Sequence, residues 1–479
     1  MLFNSYYFLF CFFPLVFIGY YLLMKLKFFE TGKILMVASS IYFYGFFKPD
    51  YVPIFIISIL VNYFLCRMIQ TINPTRWKKL LTAFGCLLNL GVLGYFKYTG
   101  FLFENLNILL NLQFAIPNIV LPLGISFYTF QQLSFLIDCY RGDRTAYSLT
   151  DYALFVTFFP QLIAGPIVLP SEMLPQFADP MRKKINWDNM NQGLFIFSCG
   201  LAKKCFIADS LAFIVTQGFD TVTRLTVAEA WIVSLAFTFQ LYFDFSGYCD
   251  MASGIAKIFN IDLPLNFNSP YQATDFQNFW RRWHMTLGRF MMNYLYIPLG
   301  GNRKGTARTF LNLFVVFLFS GLWHGAGWLF LIWGGLHGGG ILIHRLWRKA
   351  MDKWCSGWKI PKIPAILFTF FFVNIFWIFF RATTLDRAWN IVKSMFDFTY
   401  ILGTTKAFRR ILTNFDIPQN LLFGILIGAA AIAFLLPNSA KWQEIFKKHY
   451  RWRILATVVF LFIGISCLSR KSPFLYFNF

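Results

Sequence analysis

The stretch that decides the fold covers residues 280–338. It begins W-R-R-W-H-M-T-L-G-R-F, continues to P-L-G-G-N-R-K-G and ends F-L-F-S-G-L-W-H-G-A-G-W-L-F-L-I-W-G-G-L-H-G. His284 follows a doubly basic, tryptophan-rich turn, and His324 lies inside an apolar segment. An ionisable side chain at membrane depth is costly, and imidazole suits proton transfer near neutral pH. Both histidines are therefore candidate functional residues; the alternative for each is a hydrogen-bonded packing residue.

Glycines surround the second histidine, at Gly321, Gly325 and Gly327. Glycine lets backbone or ligand approach closely because it has no Cβ. This pattern predicts a channel beside His324 rather than a tightly filled core.

The composition places the chain in a membrane. Of its 479 residues, 57% are hydrophobic and 13% are charged, against about 25% charged in a soluble domain. The net charge of +22 comes from basic residues in short connections between apolar runs, which favours topology signals and anionic headgroups over nucleic acid. The cysteines show no pairing rhythm, and H-E-x-x-H is absent, so we expect neither a disulfide framework nor a metal site.

Apolar runs of spanning length predict an all-α, polytopic integral membrane protein with about eleven or twelve transmembrane helices. The candidate spans are 3–23, 34–47, 52–70, 80–96, 119–139, 190–208, 227–243, 309–322, 326–344, 364–380, 420–436 and 454–469. Two more apolar segments, 150–170 and 285–300, are interrupted by proline or glycine, and we expect them to be re-entrant. Without a repeat or a soluble stretch, residues 1–479 are expected to form a single transmembrane domain.

Basic connections predict the orientation, because cytoplasmic connections are enriched in Lys and Arg. The connections placed in the cytoplasm are 24–33, 66–79, 140–150, 171–189, 301–308, 345–362 and 438–453. Several basic residues break the pattern, since the helix count puts 381–418 outside; they include Arg381, Arg387, Lys393, Arg409 and Arg410. An amphipathic helix on the membrane surface is one interpretation of that segment.

Four motifs resemble the signature of the membrane-bound O-acyltransferase (MBOAT) superfamily. They are N-F-N-S-P-Y at 266–271, F-W-R-R-W-H at 279–284, Y-I-P-L-G-G-N-R-K-G at 296–305 and L-W-H-G at 322–325. The resemblance covers nearly the whole chain, with its catalytic signature region at 266–338. It is closest to the bacterial branch that contains the membrane subunits of alginate and peptidoglycan O-acetylation systems; a related branch passes D-alanine to teichoic acid. The resemblance implies a helical body with a central tunnel.

The resemblance assigns His324 the role of general base, which removes the proton of an acceptor hydroxyl as that hydroxyl attacks a thioester. His284 matches the other polar signature position and is expected to orient a substrate or stabilise the oxyanion. Arg281, Arg282 and Arg289 flank the histidines on the predicted cytoplasmic side. Arginine suits the phosphates of coenzyme A, so these three are the candidate acetyl-CoA contacts. Plain positive-inside charge is the alternative for them.

Three other features are secondary candidates. Asp244 and Asp250 in D-F-S-G-Y-C-D are expected to pair with a signature arginine or to line the tunnel, and a structural ion pair or a helix-end cap is the alternative. His337 in L-H-G-G-G is a third histidine in an apolar run. The aromatic ending S-P-F-L-Y-F-N-F at 472–479 is expected to dock in the helical body, to contact an extracytoplasmic partner or to anchor at the interface.

By this resemblance we expect a multi-pass protein of the bacterial inner membrane. It would move an acetyl group from cytoplasmic acetyl-CoA to an extracytoplasmic acceptor, a partner O-acetyltransferase that modifies a cell-surface polysaccharide. Contacts with membrane lipids, and none with nucleic acid, complete the expected partners. Two alternatives stay open: a polysaccharide or lipid transporter or flippase with His324 as a proton relay, and a long-chain lipid acyltransferase.

Overall fold

The computed structural model describes residues 1–72, 74–142, 147–354, 360–400, 419–469 and 474–475. Over these ranges the chain is helical and has no β-strand, which confirms the all-α prediction. The α-helices are α1 Phe13–Lys25, α2 Phe29–Gly45, α3 Val52–Thr71, α4 Thr75–Leu110, α5 Ile125–Arg141, α6 Leu149–Thr157, α7 Phe159–Leu162, α8 Pro170–Ala178, α9 Trp187–Ala202, α10 Asp209–Thr216, α11 Val227–Ile258, α12 Phe276–Trp280, α13 Met285–Met291, α14 Gly305–His324, α15 Trp328–Trp354, α16 Lys362–Arg381, α17 Leu385–Met395, α18 Gln419–Leu435, α19 Ser439–Lys447 and α20 Tyr450–Ser466. Turns of π-helix adjoin them at Phe8–Phe12, Lys203–Ala208, Gln217–Thr221 and Met292–Tyr296.

Five helical segments of the described chain are long and apolar enough to cross a membrane. They are Phe8–Lys25, Pro49–Thr71, Thr75–Leu110, Gly305–His324 and Lys362–Arg381. A sixth span results if Asn420–Leu435 and Ser439–Lys447, which meet at a bend of 66°, count as one. The other spans predicted from the sequence fall on helices that are shorter or more polar.

Helix α5 shows why apolarity alone does not find every span. It has 17 residues, and its buried side chains include Gln131, Gln132 and Ser134. A helix covered by protein needs no uniformly apolar surface, because lipid does not contact its backbone or its polar side chains. Hydropathy therefore identifies the helices exposed to lipid more readily than the covered ones.

Both segments expected to be re-entrant contain a break in the helix, and their path in the membrane stays a prediction. After α6, Phe158 leaves the helical conformation with φ −46° and ψ 105°, and the short α7 begins with Pro160 in its first turn. Helix α13 passes into a π-helical turn, and non-helical turns follow as far as residue 304. Proline cannot donate a backbone hydrogen bond, so helices end at these positions.

Contacts between residues divide the chain into two compact units. The first comprises residues 1–197 and 248–264, and the second comprises residues 198–247 and 265–479. The single domain and the central tunnel stay predictions.

In the first unit, amide side chains join α3, α4 and α5. Asn62 Nδ2 donates to Asn89 Oδ1 at 3.2 Å and to Gln132 Oε1 at 2.5 Å, and Asn89 Nδ2 donates to Asn62 Oδ1 at 2.6 Å. Such bonds hold helices together at membrane depth, because an unpaired polar group is costly in apolar surroundings.

Two of these helices are also joined covalently. A disulfide connects Cys66 on α3 with Cys139 on α5. The expectation that the cysteines form no disulfide is therefore wrong for this pair. The two residues are 73 positions apart, and spacing alone gives no sign of their pairing.

In the second unit, α14 and α15 form a closely packed hairpin. A Cβ placed on Gly334 of α15 would lie 2.4 Å from the backbone oxygen of Phe317 on α14. Only glycine permits this approach, because the clash would be with backbone rather than with a flexible side chain. The hairpin places His324 at the end of its first helix.

Arg381 and Arg387, two of the basic residues that break the charge pattern, have specific partners in this unit. Arg381 makes a bidentate ion pair with Asp220, at 3.0 and 2.6 Å. Arg387 on α17 donates to backbone carbonyls of the turn that follows α10. The acceptors are Gly218, Phe219, Val222 and Thr223. These two charges stabilise the fold, so they carry little information about orientation; residues 401–418 of the same segment lie outside the described ranges.

Candidate active site

The W-R-R-W-H turn lies between the short helices α12 and α13. Helix α12 begins where the side chain of Asp275 accepts the backbone N–H of Asn278 at 2.7 Å, and it ends at Trp280. The turn delivers His284 in the left-handed conformation, with φ 44° and ψ 52°. A residue other than glycine adopts this conformation at a cost, so the surrounding contacts must fix it.

Asn266, from the N-F-N-S-P-Y segment, provides those contacts. Its Oδ1 accepts the backbone N–H of Thr286 at 3.2 Å and the Thr286 hydroxyl at 2.9 Å, which identifies this atom as the amide oxygen. Nδ1 of His284 lies 3.1 Å from the same oxygen. Nδ1 therefore carries the proton, and the neutral ring has its lone pair on Nε2. The side chain is buried, which disfavours the charged form.

Aromatic rings surround His324. It is the last residue of α14, and Gly325 continues in extended conformation. Its ring centroid lies 4.9 Å from that of Trp323, 5.1 Å from that of Trp333 and 5.3 Å from that of Phe380. The ring is buried.

The structure brings the two predicted catalytic histidines together. Their ring centroids are 6.4 Å apart, and the indole ring of Trp323 lies 6.1 Å from that of His284. Two buried imidazoles at this distance can divide the work of an acyl transfer. One can accept the proton of a hydroxyl while the other donates a hydrogen bond to developing negative charge.

The glycines beside His324 serve packing. A Cβ on Gly321 would lie 2.2 Å from the backbone oxygen of Phe330, and a Cβ on Gly325 would lie 2.1 Å from the Phe330 ring. Phe330 therefore occupies the space beside these two glycines, and the channel beside His324 stays a prediction.

The three candidate arginines have different surroundings. Arg282 donates from Nε to Asn278 Oδ1 at 3.0 Å and from Nη1 to the carbonyl of Asn268 at 3.3 Å, so this side chain braces the turn. Arg281 is exposed, and Arg289 on α13 is half-buried. Binding of coenzyme A by the three arginines stays a prediction.

His337 belongs to the same aromatic cluster. It lies on α15, is fully buried, and accepts a hydrogen bond at Nδ1 from Trp280 Nε1 at 3.2 Å. The ring of Trp333 lies 5.0 Å from that of His337 and 5.1 Å from that of His324.

Asp244 is paired with a lysine that the sequence analysis did not single out. Lys204 Nζ lies 2.6 Å from Oδ1 of Asp244 and 2.6 Å from Oδ1 of Asp209, and all three side chains are buried. Of the interpretations weighed for Asp244, the structural ion pair is the one observed. The signal was present in K-K-C-F-I-A-D at 203–209, where a lysine and an aspartate interrupt an apolar run.

The described part of the C-terminal ending docks on the same carboxylate. The backbone N–H of Leu475 donates to Asp244 Oδ2 at 2.9 Å. The ring of Phe474 lies 6.3 Å from that of Phe245, which in turn packs edge-on against His284 at 4.8 Å. Docking in the helical body is confirmed for Phe474 and Leu475; the rest of the ending lies outside the described residues.

These observations define a class of protein, namely a helical integral membrane protein with two buried histidines close together. The sequence model of the membrane-bound O-acyltransferase (MBOAT) family matches residues 41–385. The chain is 42% identical to the peptidoglycan O-acetyltransferase of Helicobacter pylori, over 100% of this chain and 98% of that protein. It is 40% identical to the probable alginate O-acetylase AlgI of Azotobacter vinelandii, over 83% of this chain and 78% of that protein. Identity to the teichoic acid D-alanyltransferase of Bacillus subtilis is 25%, over 53% of this chain and 67% of that protein.

The chain therefore belongs to the membrane-bound O-acyltransferase family. It is an enzyme, an acyltransferase embedded in a membrane.

Proposed function

We propose that this protein transfers an acetyl group from acetyl-CoA, on the cytoplasmic side of a bacterial inner membrane, to an acceptor on the other side. The acceptor is the hydroxyl of a partner O-acetyltransferase, which then modifies a cell-surface polysaccharide. The observation that carries this proposal is the pair of buried histidines with ring centroids 6.4 Å apart.

In the proposed reaction His324 removes the proton of the acceptor hydroxyl as its oxygen attacks the thioester carbonyl carbon. The new C–O bond forms, the carbonyl oxygen takes up negative charge, and the C–S bond then breaks. The thiolate that leaves receives the proton from the imidazolium of His324, which restores the neutral ring. A thioester is already activated, so no acyl-enzyme on this histidine is required.

His284 is assigned the second task. Its tautomer is set by Asn266, and Nε2 carries the lone pair in the neutral ring. In this form Nε2 can accept a hydrogen bond from the acceptor hydroxyl and so orient it towards the thioester. Its protonated form could instead stabilise the oxyanion.

The cytoplasmic donor side is supported by the charge pattern. Most basic connections fall on one side of the predicted topology, and two of the basic residues that break the pattern are engaged in the fold. Arg381 pairs with Asp220, and Arg387 binds backbone carbonyls. Arg281 is the most exposed of the three arginines assigned to the coenzyme A phosphates.

The polysaccharide acceptor is supported by the relatives, two of which are named for peptidoglycan and alginate O-acetylation. The higher identity to these than to the D-alanyltransferase favours an acetyl group over D-alanine. A long-chain lipid acyltransferase is the second candidate. The aromatic rings within 5.3 Å of His324 favour a short acyl group over a long one.

The test measures the transfer of the radiolabelled acetyl group from acetyl-CoA by the purified protein in nanodiscs. Wild type, His324→Ala and His449→Ala are compared, with and without an O-acetyltransferase encoded nearby. His449 is exposed and serves as the matched histidine control. We expect transfer to fall about 10²- to 10⁴-fold in His324→Ala and to be unchanged in His449→Ala.

A parallel reaction with palmitoyl-CoA separates the candidate donors. Faster transfer from palmitoyl-CoA than from acetyl-CoA would replace the acetyl proposal by the lipid acyltransferase. Full activity in His324→Ala would remove the assigned base.

A further inference from the structure

His337 is enclosed by aromatic rings and makes one hydrogen bond. Ring centroids lie 5.0 Å away for Trp280, 5.0 Å for Trp333, 5.1 Å for Phe376 and 5.7 Å for Trp377. The indole N–H of Trp280 donates to Nδ1 at 3.2 Å. The neutral ring therefore carries its own proton on Nε2.

A packing role alone does not explain a histidine at this position. Nε2 is buried and finds no hydrogen-bond partner among the described residues. A buried donor without a partner is unfavourable, and phenylalanine would fill the same space without that penalty. What a phenylalanine lacks is an acceptor for the Trp280 indole N–H.

Trp280 is the residue through which this bond reaches the active site. It ends α12 and begins the turn that leads to His284. The far end of that turn is tied to Asn266, whose backbone oxygen accepts the N–H of Met285 at 3.0 Å. The Trp280–His337 bond ties the near end to α15.

The strained backbone of His284 needs both hydrogen bonds, the one at Met285 and the one at Trp280. A non-glycine residue with φ 44° persists when its surroundings hold it in place. Helix α15 also carries Trp333, which packs against His324. One helix thus contacts the turn that presents His284 and the ring of His324.

We propose that His337 is a positioning residue for acyl transfer. By accepting the Trp280 indole N–H, it fixes the turn that presents His284 to His324. The proposal rests on the proposed function for its kinetic consequence, whereas the hydrogen bond itself is tested independently.

The kinetic test uses His337→Leu, which removes the acceptor, and Trp280→Phe, which keeps a ring and removes the donor. His337→Asn restores an acceptor close to the position of Nδ1. We expect kcat to fall about fivefold to tenfold in His337→Leu and in Trp280→Phe, with KM for acetyl-CoA changed less than about twofold. The double variant should be no slower than the slower single variant, because both changes remove the same bond. His337→Asn should recover most of the lost rate.

A spectroscopic measurement reads the bond without catalysis. Tryptophan is labelled with ¹⁵N, and the indole resonance of Trp280 is assigned by its disappearance in Trp280→Phe. In wild type and His337→Asn it should lie downfield of its position in His337→Leu, because a hydrogen-bonded N–H is deshielded.

The outcomes separate the two proposals. An unmoved indole resonance in His337→Leu, rates that multiply in the double variant, or His337→Asn as slow as His337→Leu would each overturn the positioning role. Wild type that shows the shifted resonance but transfers no acyl group from acetyl-CoA or palmitoyl-CoA, with the partner present, would overturn the proposed function and leave the bond established.

Discussion

His284 and His324 lie side by side, each among different neighbours. Asn266 Oδ1 faces Nδ1 of His284 at 3.1 Å and also binds Thr286. Three aromatic ring centroids lie 4.9 to 5.3 Å from that of His324. A hydrogen bond selects a tautomer, whereas ring packing selects a position.

A residue that must present a particular nitrogen needs a directional partner, and Asn266 Oδ1 is such a partner for His284. The rings around His324 restrain the position of its imidazole. Substitutions that remove the Asn266 acceptor should therefore affect His284, and substitutions that alter the shape of the ring cluster should affect His324.

The largest effect on stability is expected from removing the buried charge of Lys204, because its partner Asp244 lies next to Phe245, which packs on His284. Lys204→Met leaves Asp209 and Asp244 buried without their cation, and it loosens the residue next to Phe245, which packs on His284. We expect a loss of about 3–5 kcal/mol of stability, measured by thermal unfolding in detergent with a denaturant series.

The control for this substitution is Lys349→Met, which changes an exposed lysine of α15. It should leave the transition within about 1 kcal/mol of wild type. A Lys204→Met variant as stable as wild type would mean that the buried ion pairs contribute nothing to the fold.

A smaller effect is expected from a change of shape on the His324 side. Gly334→Ala places a Cβ 2.4 Å from the Phe317 carbonyl oxygen and forces α14 and α15 apart. Overpacking of this kind costs about 1–3 kcal/mol, and kcat should fall as His324 moves. In the same helix, Gly339→Ala meets no atom within 4 Å and should be neutral or slightly stabilising. If both alanine variants behave alike, helix approach does not set the position of His324.

The smallest effect is expected from Asn266→Ala, with the fold retained. It removes the acceptor shared by His284 and Thr286, and the left-handed backbone at His284 loses its support. We expect kcat to fall about tenfold, or about 1.4 kcal/mol, with a smaller change in melting temperature. The exposed Asn302 supplies the control, Asn302→Ala. An unchanged kcat in Asn266→Ala would show that hydrogen bonding does not orient His284.

The helical architecture and the histidine pair could be predicted from sequence, because each depends on residues that are close together in the chain. Apolar runs mark helices that meet lipid, and W-R-R-W-H and L-W-H-G carry the histidines themselves. The number of uniformly apolar spans was overestimated from the same runs, since helices such as α5 are covered by protein.

The partners of the site residues could not be predicted, because they are distant in sequence. Asn266 precedes His284 by 18 positions, and Lys204 lies 40 positions before Asp244. The packing of Phe330 beside Gly321 and Gly325 could not be predicted for a related reason. A missing side chain looks the same in sequence whether a ligand or Phe330 fills the space.

The disulfide between Cys66 and Cys139 bears on the direction of transfer. Both cysteines lie at helix ends that the basic connections 66–79 and 140–150 assign to the cytoplasm. Reducing compartments keep such pairs as thiols, and oxidising ones let the bond persist. The bond therefore favours an oxidising compartment at this end of α3 and α5, whereas the predicted orientation places the same end in the reducing cytoplasm. In the living cell, a reduced pair would support the predicted cytoplasmic location of this end, and an oxidised pair would contradict it.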